Sequence, residues 1–201
     1  VNMRDNQKPI VESYMNNISL KKGGGGIICA GCGVGKTVIS LYISTLLKVK
    51  TLVVVHKDFL LNQWIERIEQ FLPNARIGKI QGQVIDIEDK DIVIGMLQSL
   101  SMKDYPCEVF SSFGLTVVDE VHHIAAEVFV RSLFKIVTPY VLGLSATMKR
   151  KDGLTKVIKW FLGDIVYTKK RKGEDKVLVK AILYESNDDE FNEDIYNWKG
   201  Q

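Results

Sequence analysis

The chain has 201 residues, 46% of them hydrophobic and 25% charged, with a formal net charge of +3. That balance suits a folded domain with a substantial core, and excludes a disordered chain or a disulfide-stapled miniprotein. No apolar run approaches the ~20 residues of a membrane-spanning helix, and the polar start VNMRDNQKPI lacks the apolar stretch of a secretory signal. Three cysteines are too few for a disulfide framework, so the expected setting is reducing and intracellular, with no membrane partner.

Along the chain, Gly23-Gly24-Gly25-Gly26 leads into an apolar strand, Ile27-Ile28-Cys29-Ala30, and a helix is expected over Thr37–Leu47. A strand follows at Thr51–Val55, a helix at Phe59–Phe71 and a strand at Asp91–Ile94. Leu115–Val118 reads as a third strong strand, then a helix around Ala126–Ile136 and a strand at Tyr140–Leu144. Strands apolar throughout must be buried on both faces, which predicts a mostly parallel sheet covered by helices. The expected class is therefore α/β, of doubly wound type. After Leu162 the pattern changes: Lys176–Glu185 reads as a new strand and Asn187–Trp198 as the start of a helix. The expected organisation is one domain over 1–166, with 167–201 a linker and the start of a second.

Charge is uneven. Basic residues dominate between Lys149 and Lys180, with Lys169-Lys170-Arg171-Lys172 unbroken, and ESNDDEFNED reverses the balance. A solvated hairpin and a phosphate-tracking surface are both compatible with this.

The strongest motif is Ala30-Gly31-Cys32-Gly33-Val34-Gly35-Lys36-Thr37, between an apolar strand and a helix. This is the setting of a phosphate-binding loop, in which glycines let backbone N–H groups ring a phosphate at the positive helix end. Lys36 would reach the β- and γ-phosphates, and the Thr37 hydroxyl would hold Mg²⁺. Cys29 and Cys32 have Cys-x-x-Cys spacing, but a zinc site needs about four ligands and there is no second pair, so a metal reading is rejected.

The second motif is Leu115-Thr116-Val117-Val118-Asp119-Glu120-Val121-His122. Its carboxylates fall at the C-terminal end of a buried strand, where α/β sheets place ligands. Asp119 is the expected Mg²⁺ contact, through the ion's water shell, and Glu120 the residue that orients or deprotonates the attacking water. Favourable acidic residues at a helix start would be the bland alternative. His122 and His123 are adjacent, so their side chains are expected to diverge rather than share a metal. Trp64 and Phe71, on the apolar side of their helix, are expected in the core.

These motifs together resemble the DExH group of superfamily 2 helicases and translocases, with Ser145-Ala146-Thr147 similar to that family's third motif. The resemblance covers 1–166, one RecA-like P-loop NTPase lobe, and is nearest to the double-stranded DNA translocase branch and to helicases of large DNA viruses. It implies an ATP hydrolase with ATP and Mg²⁺ as ligands, DNA as partner (RNA as the competing choice), and a second lobe elsewhere in a parent of at least ~400 residues, two lobes of domain size. By the same resemblance, Arg4-Asp5-Asn6-Gln7 is the adenine segment, with Gln7 the hydrogen-bonding amide and Arg4 a stacking or polar partner. His56 and Lys57, and further on Gln98 and Ser99, resemble loops that touch a nucleic-acid backbone. His122, Ser145 and Thr147 take the place of residues that couple the nucleotide site to movement. The implied setting is cytoplasm, nucleus, or a viral particle or factory. The rival readings are a nucleotide-dependent binding module with little turnover, an RNA helicase lobe, and the motor lobe of a restriction complex.

Overall fold

A computed structural model describes residues 2–31, 33–147 and 155–169. The strand and helix expected over Lys176–Glu185 and Asn187–Trp198, the basic segment between 149 and 153, the run from Lys170 to Lys172, and Cys32 lie outside the described residues. Residues 1–170 make one compact unit.

The chain opens with helix α1 (Lys8–Asn17), which carries Pro9 in its first turn, where a missing N–H costs nothing. Strand β1 (Gly24–Cys29) follows, then α2 (Lys36–Leu47), β2 (Thr51–Val55) and α3 (Asp58–Phe71). An edge hairpin, β3 (Ile77–Gln81) and β4 (Val84–Asp86), precedes β5 (Ile92–Met96) and α4 (Leu97–Met102). The remainder is β6 (Leu115–Val118), α5 (Ala126–Leu133), β7 (Tyr140–Ser145), α6 (Thr155–Leu162) and β8 (Ile165–Thr168). β8 continues two residues past the domain end expected at 166.

Among the described residues, eight strands form one sheet in the order β4-β3-β5-β2-β6-β7-β1-β8. All pairings are parallel except that of β3 with β4. The mostly parallel α/β class expected from the continuous apolar strands is therefore what forms. Alternation along each strand builds two cores. Val53, Val55, Ile92, Ile94, Leu115 and Val117 pack beneath α1, α2 and α3. Leu52, Val54, Val93 and Val118 turn to the other face, against α4, α5 and α6. Covering both faces leaves one open rim at the C-terminal ends of the strands, where parallel sheets present their loops together.

Candidate functional site

Four neighbouring strands, β2, β6, β7 and β1, end on that rim side by side. Their ends carry, in order, His56-Lys57, Asp119-Glu120, Ser145 and the glycine loop. Gly33 and Gly35 both have left-handed backbone, φ 81° and 86°, a conformation in which a side chain would be strained. A Cβ on Gly31 or Gly33 would meet nothing within 4 Å, so the space before the loop is open. Gly35 is the residue just before α2, whose first helical residues are Lys36 and Thr37.

A cleft of about 390 Å³ lies over this loop, lined by Arg4, Gln7, Lys36, Thr37, Asp119 and Glu120 among others. Lys36 is buried, its Nζ donating to the Ala30 carbonyl at 3.1 Å and lying 3.8 Å from Glu120 Oε1. Asp119 is also buried, at 7% exposure, and both of its oxygens are engaged. Trp64 Nε1 donates to Oδ2 at 2.8 Å, and the Glu120 amide donates to Oδ1 at 2.9 Å. Burial raises the Asp119 carboxyl above its ordinary value and the Glu120 charge adds to this, while the Trp64 N–H and the Glu120 amide pull the other way.

Gln7 is nearly fully buried, so it is not a plain surface residue. Its Nε2 donates to the Val34 carbonyl at 2.9 Å and its Oε1 accepts the Arg4 amide at 3.0 Å. The expected adenine segment is thereby tied to the glycine loop. Arg4 itself lines the cleft.

Beyond Asp119 the chain makes a sharp turn. Glu120 has φ 47°, and a short 3₁₀ turn covers Val121–His123. This turn corrects the expectation that the two histidines diverge: their ring centroids are 4.0 Å apart. Alternation of neighbouring side chains to opposite faces is a property of strands, and these two histidines lie in a turn instead. One donor atom each from Glu120, His122 and His123 lies within 4.8 Å of the others. His56 approaches the same cluster, 5.7 Å from His123 between centroids. Burial lowers the His56 pKa, and the neighbouring His123 and Lys57 charges lower it further against the opposing pull of Asp119. His122 Nδ1 sits 3.1 Å from Ser145 Oγ and 3.2 Å from Glu120 Oε2, and Ser145 Oγ donates to the Thr147 carbonyl.

The remaining expected residues stand further along the rim. Lys57 is the last residue before α3, and Gln98 and Ser99 are in α4. Gln98 is exposed, and Ser99 Oγ accepts the Gly82 amide at 2.9 Å. Sequence reasoning missed the dual role of α3. Trp64 is core as expected, but it also holds a carboxylate, and Phe71 lines the cleft as well as packing on the core. An indole N–H buried by the helix pattern needs a partner, and that need was the available signal.

The groups lining the cleft, a threonine and two carboxylates beside a lysine, offer hard oxygens of the kind that suit Mg²⁺ next to a cationic side chain. Residues 1–150 match the profile of the family described as type III restriction enzyme, res subunit. A protein of Acanthamoeba polyphaga mimivirus named as an ATP-dependent RNA helicase is 36% identical over 188 residues, 94% of this chain and 36% of that protein. The Sulfurisphaera tokodaii protein named DNA 3'-5' translocase XPB2 is 34% identical over 169 residues, 84% of this chain and 36% of its own length. Among solved structures, the UvsW helicase from bacteriophage T4 superposes with a TM-score of 0.67 at 20% identity, covering 83% of this chain and 60% of that one, a likeness of fold. The chain thus spans a little over a third of the length of each of these curated relatives.

Proposed function

The chain belongs to the family of the type III restriction enzyme res subunit, and from that membership we propose that it is the ATP-binding lobe of a superfamily 2 helicase or translocase. One observation carries the reading: Lys36, Thr37, Asp119 and Glu120 converge on a single cleft floored by the glycine loop. The reaction is hydrolysis of ATP to ADP and phosphate. Residues 1–166 with the end of β8 form the lobe, and the rest leads into a second lobe of a longer parent, in keeping with the share of its relatives that the chain spans.

In this reading the backbone of Gly31, Cys32, Gly33, Val34 and Gly35 cradles the phosphates, and Lys36 turns from the Ala30 carbonyl to the β- and γ-phosphates. Thr37 and Asp119 would hold Mg²⁺, which when bound would supply neutralisation of the charge on the phosphoryl group being transferred. Glu120 orients the attacking water and accepts its proton, with Lys36 and His122 on either side of its carboxylate. Gln7 and Arg4 select adenine, through amide hydrogen bonding and through stacking or polar contact. His56, Lys57, Gln98 and Ser99 contact the phosphodiester backbone of the nucleic acid, contacts that position without reading sequence. His122, Ser145 and Thr147 link the hydrolytic carboxylate to the end of β7, and so to the neighbouring lobe.

The favoured track is DNA. One curated relative is named as a DNA translocase, another as an RNA helicase, so RNA is the competing substrate. Steady-state ATPase assays of this chain and of a two-lobe parent, at low salt and with duplex DNA, single-stranded DNA or RNA, test the proposal; low salt matters because phosphate contacts weaken steeply as salt rises. Negligible turnover by the single lobe, with stimulation of the parent by DNA above RNA, is the expected result. A parent with no nucleic-acid-stimulated turnover contradicts the proposal.

A further inference from the structure

The largest fully buried side chain of the described residues, Trp64, is 1% exposed and sits in the middle of α3 among Leu60, Leu61 and Ile68. Its ring has an obvious packing role. Its N–H has a different one. An indole N–H buried this deeply needs an acceptor. Here the acceptor is the side chain of Asp119, reached across 55 residues of chain at 2.8 Å. That distance falls in the range of charge-assisted hydrogen bonds.

A carboxylate offers about four lone-pair positions. In Asp119 one is taken on Oδ2 by Trp64, and one on Oδ1 by the amide of Glu120. The two bonds hold both oxygens, so the carboxylate plane cannot rotate, while the side chain still lines the cleft beside Thr37. The Glu120 amide is fixed by the left-handed backbone of that residue, and the Trp64 donor by the packing of α3 against the sheet. We propose that Trp64 is a positioning residue for the metal site, orienting Asp119 so that its remaining lone pairs face the Mg²⁺ bound with ATP. The inference rests on the nucleotide reading above. It also gives α3 a consequence: this helix begins directly after His56-Lys57, so the strand-end loop assigned to nucleic acid and the metal carboxylate are joined by one helix and one hydrogen bond.

The test is Trp64→Phe in the purified chain, which retains an aromatic ring and removes the N–H. Binding of a fluorophore-labelled ATP is followed by anisotropy while Mg²⁺ is titrated, with a parallel measurement in EDTA. The expected result is a Mg²⁺ midpoint raised about tenfold, the usual cost of losing a partner of a metal ligand, with binding in EDTA unchanged. A role in packing alone would lower the melting temperature and leave the midpoint where it was, and that outcome overturns the inference. Should Trp64→Phe fail to fold, biosynthetic replacement of tryptophan by benzothienylalanine, in a chain also carrying Trp160→Phe and Trp198→Phe, keeps the bicyclic shape at position 64 and removes only its N–H, and the same two outcomes decide. If the unsubstituted chain shows no Mg²⁺-dependent ATP binding, the nucleotide reading itself fails, which is a separate result from an unshifted midpoint.

Discussion

Lys36 Nζ and Glu120 Oε1 lie 3.8 Å apart, bringing the end of the glycine loop and the end of β6 face to face. Opposite charges at this spacing give each residue a distinct signature on removal. Lys36→Ala is expected to lower Mg-ATP affinity roughly 10- to 100-fold, the worth of a hydrogen bond to a charged group, while the cooperative thermal transition persists. Glu120→Gln is expected to keep ATP binding and to reduce hydrolysis by the two-lobe parent about 10²-fold or more, as loss of a general base does. Binding isotherms and turnover on the same preparations separate the two.

Gln7 braces the loop from the other side. Replacing it by alanine strands the Val34 carbonyl and the Arg4 amide. The expected cost is about 1–2 kcal/mol, a fall of several degrees in melting temperature, together with a loss of preference for ATP over GTP. Gly35→Ala should produce the same loss from the opposite partner, because a Cβ there collides with the Gln7 amide nitrogen and the residue sits at positive φ. Competition binding with the two nucleotides reads both variants.

Ser145 is fully buried at the end of β7, with His122 on one side and the Thr147 carbonyl on the other. Ser145→Ala removes both contacts without touching Lys36 or Asp119. The expected outcome is unchanged ATP binding by this chain and a several-fold loss of nucleic-acid stimulation in the parent. Equal stimulation of the variant and unsubstituted parents would take Ser145 out of the coupling role.

A pH effect comes from the far end of the sheet. The Arg76 guanidinium and backbone amide both hold Asp91, which lowers its carboxyl from 3.8 to about 2. A folded value below the unfolded one means that the bond's stabilisation is complete above pH ~4 and is lost as pH falls from 3.8 towards 2. Both partners are about half exposed, so the effect is small. Urea midpoints of the chain and of Asp91→Asn should differ at neutral pH and converge near pH 2.

Local chemistry made much of this legible. The run from Ile27 to Thr37 states strand, loop and helix in one reading, and the apolar LTVV before Asp119-Glu120 states a buried strand ending on carboxylates. The edge hairpin was not legible, because IGKIQ is half polar and VID is short and exposed, which leaves little periodic signal. α1 was hidden by weak amphipathicity, although Ile10, Val11 and Tyr14 bury one side and the Tyr14 hydroxyl reaches the Val141 carbonyl. Contacts created by distant chain segments, such as Trp64 with Asp119, have no local pattern. The convergence of His122 with His123 was missed because the short turn over Val121–His123 follows a left-handed Glu120, a backbone that a non-glycine residue seldom adopts and that the sequence does not announce.

Calorimetric titration of this chain with ATP, with and without Mg²⁺, beside the Lys36→Ala variant, decides whether the glycine-loop cleft is a nucleotide site. Saturable, Mg²⁺-enhanced binding by the chain is expected, weakened roughly 10- to 100-fold in the variant. No binding by the chain, or equal affinity in the two proteins, would contradict it.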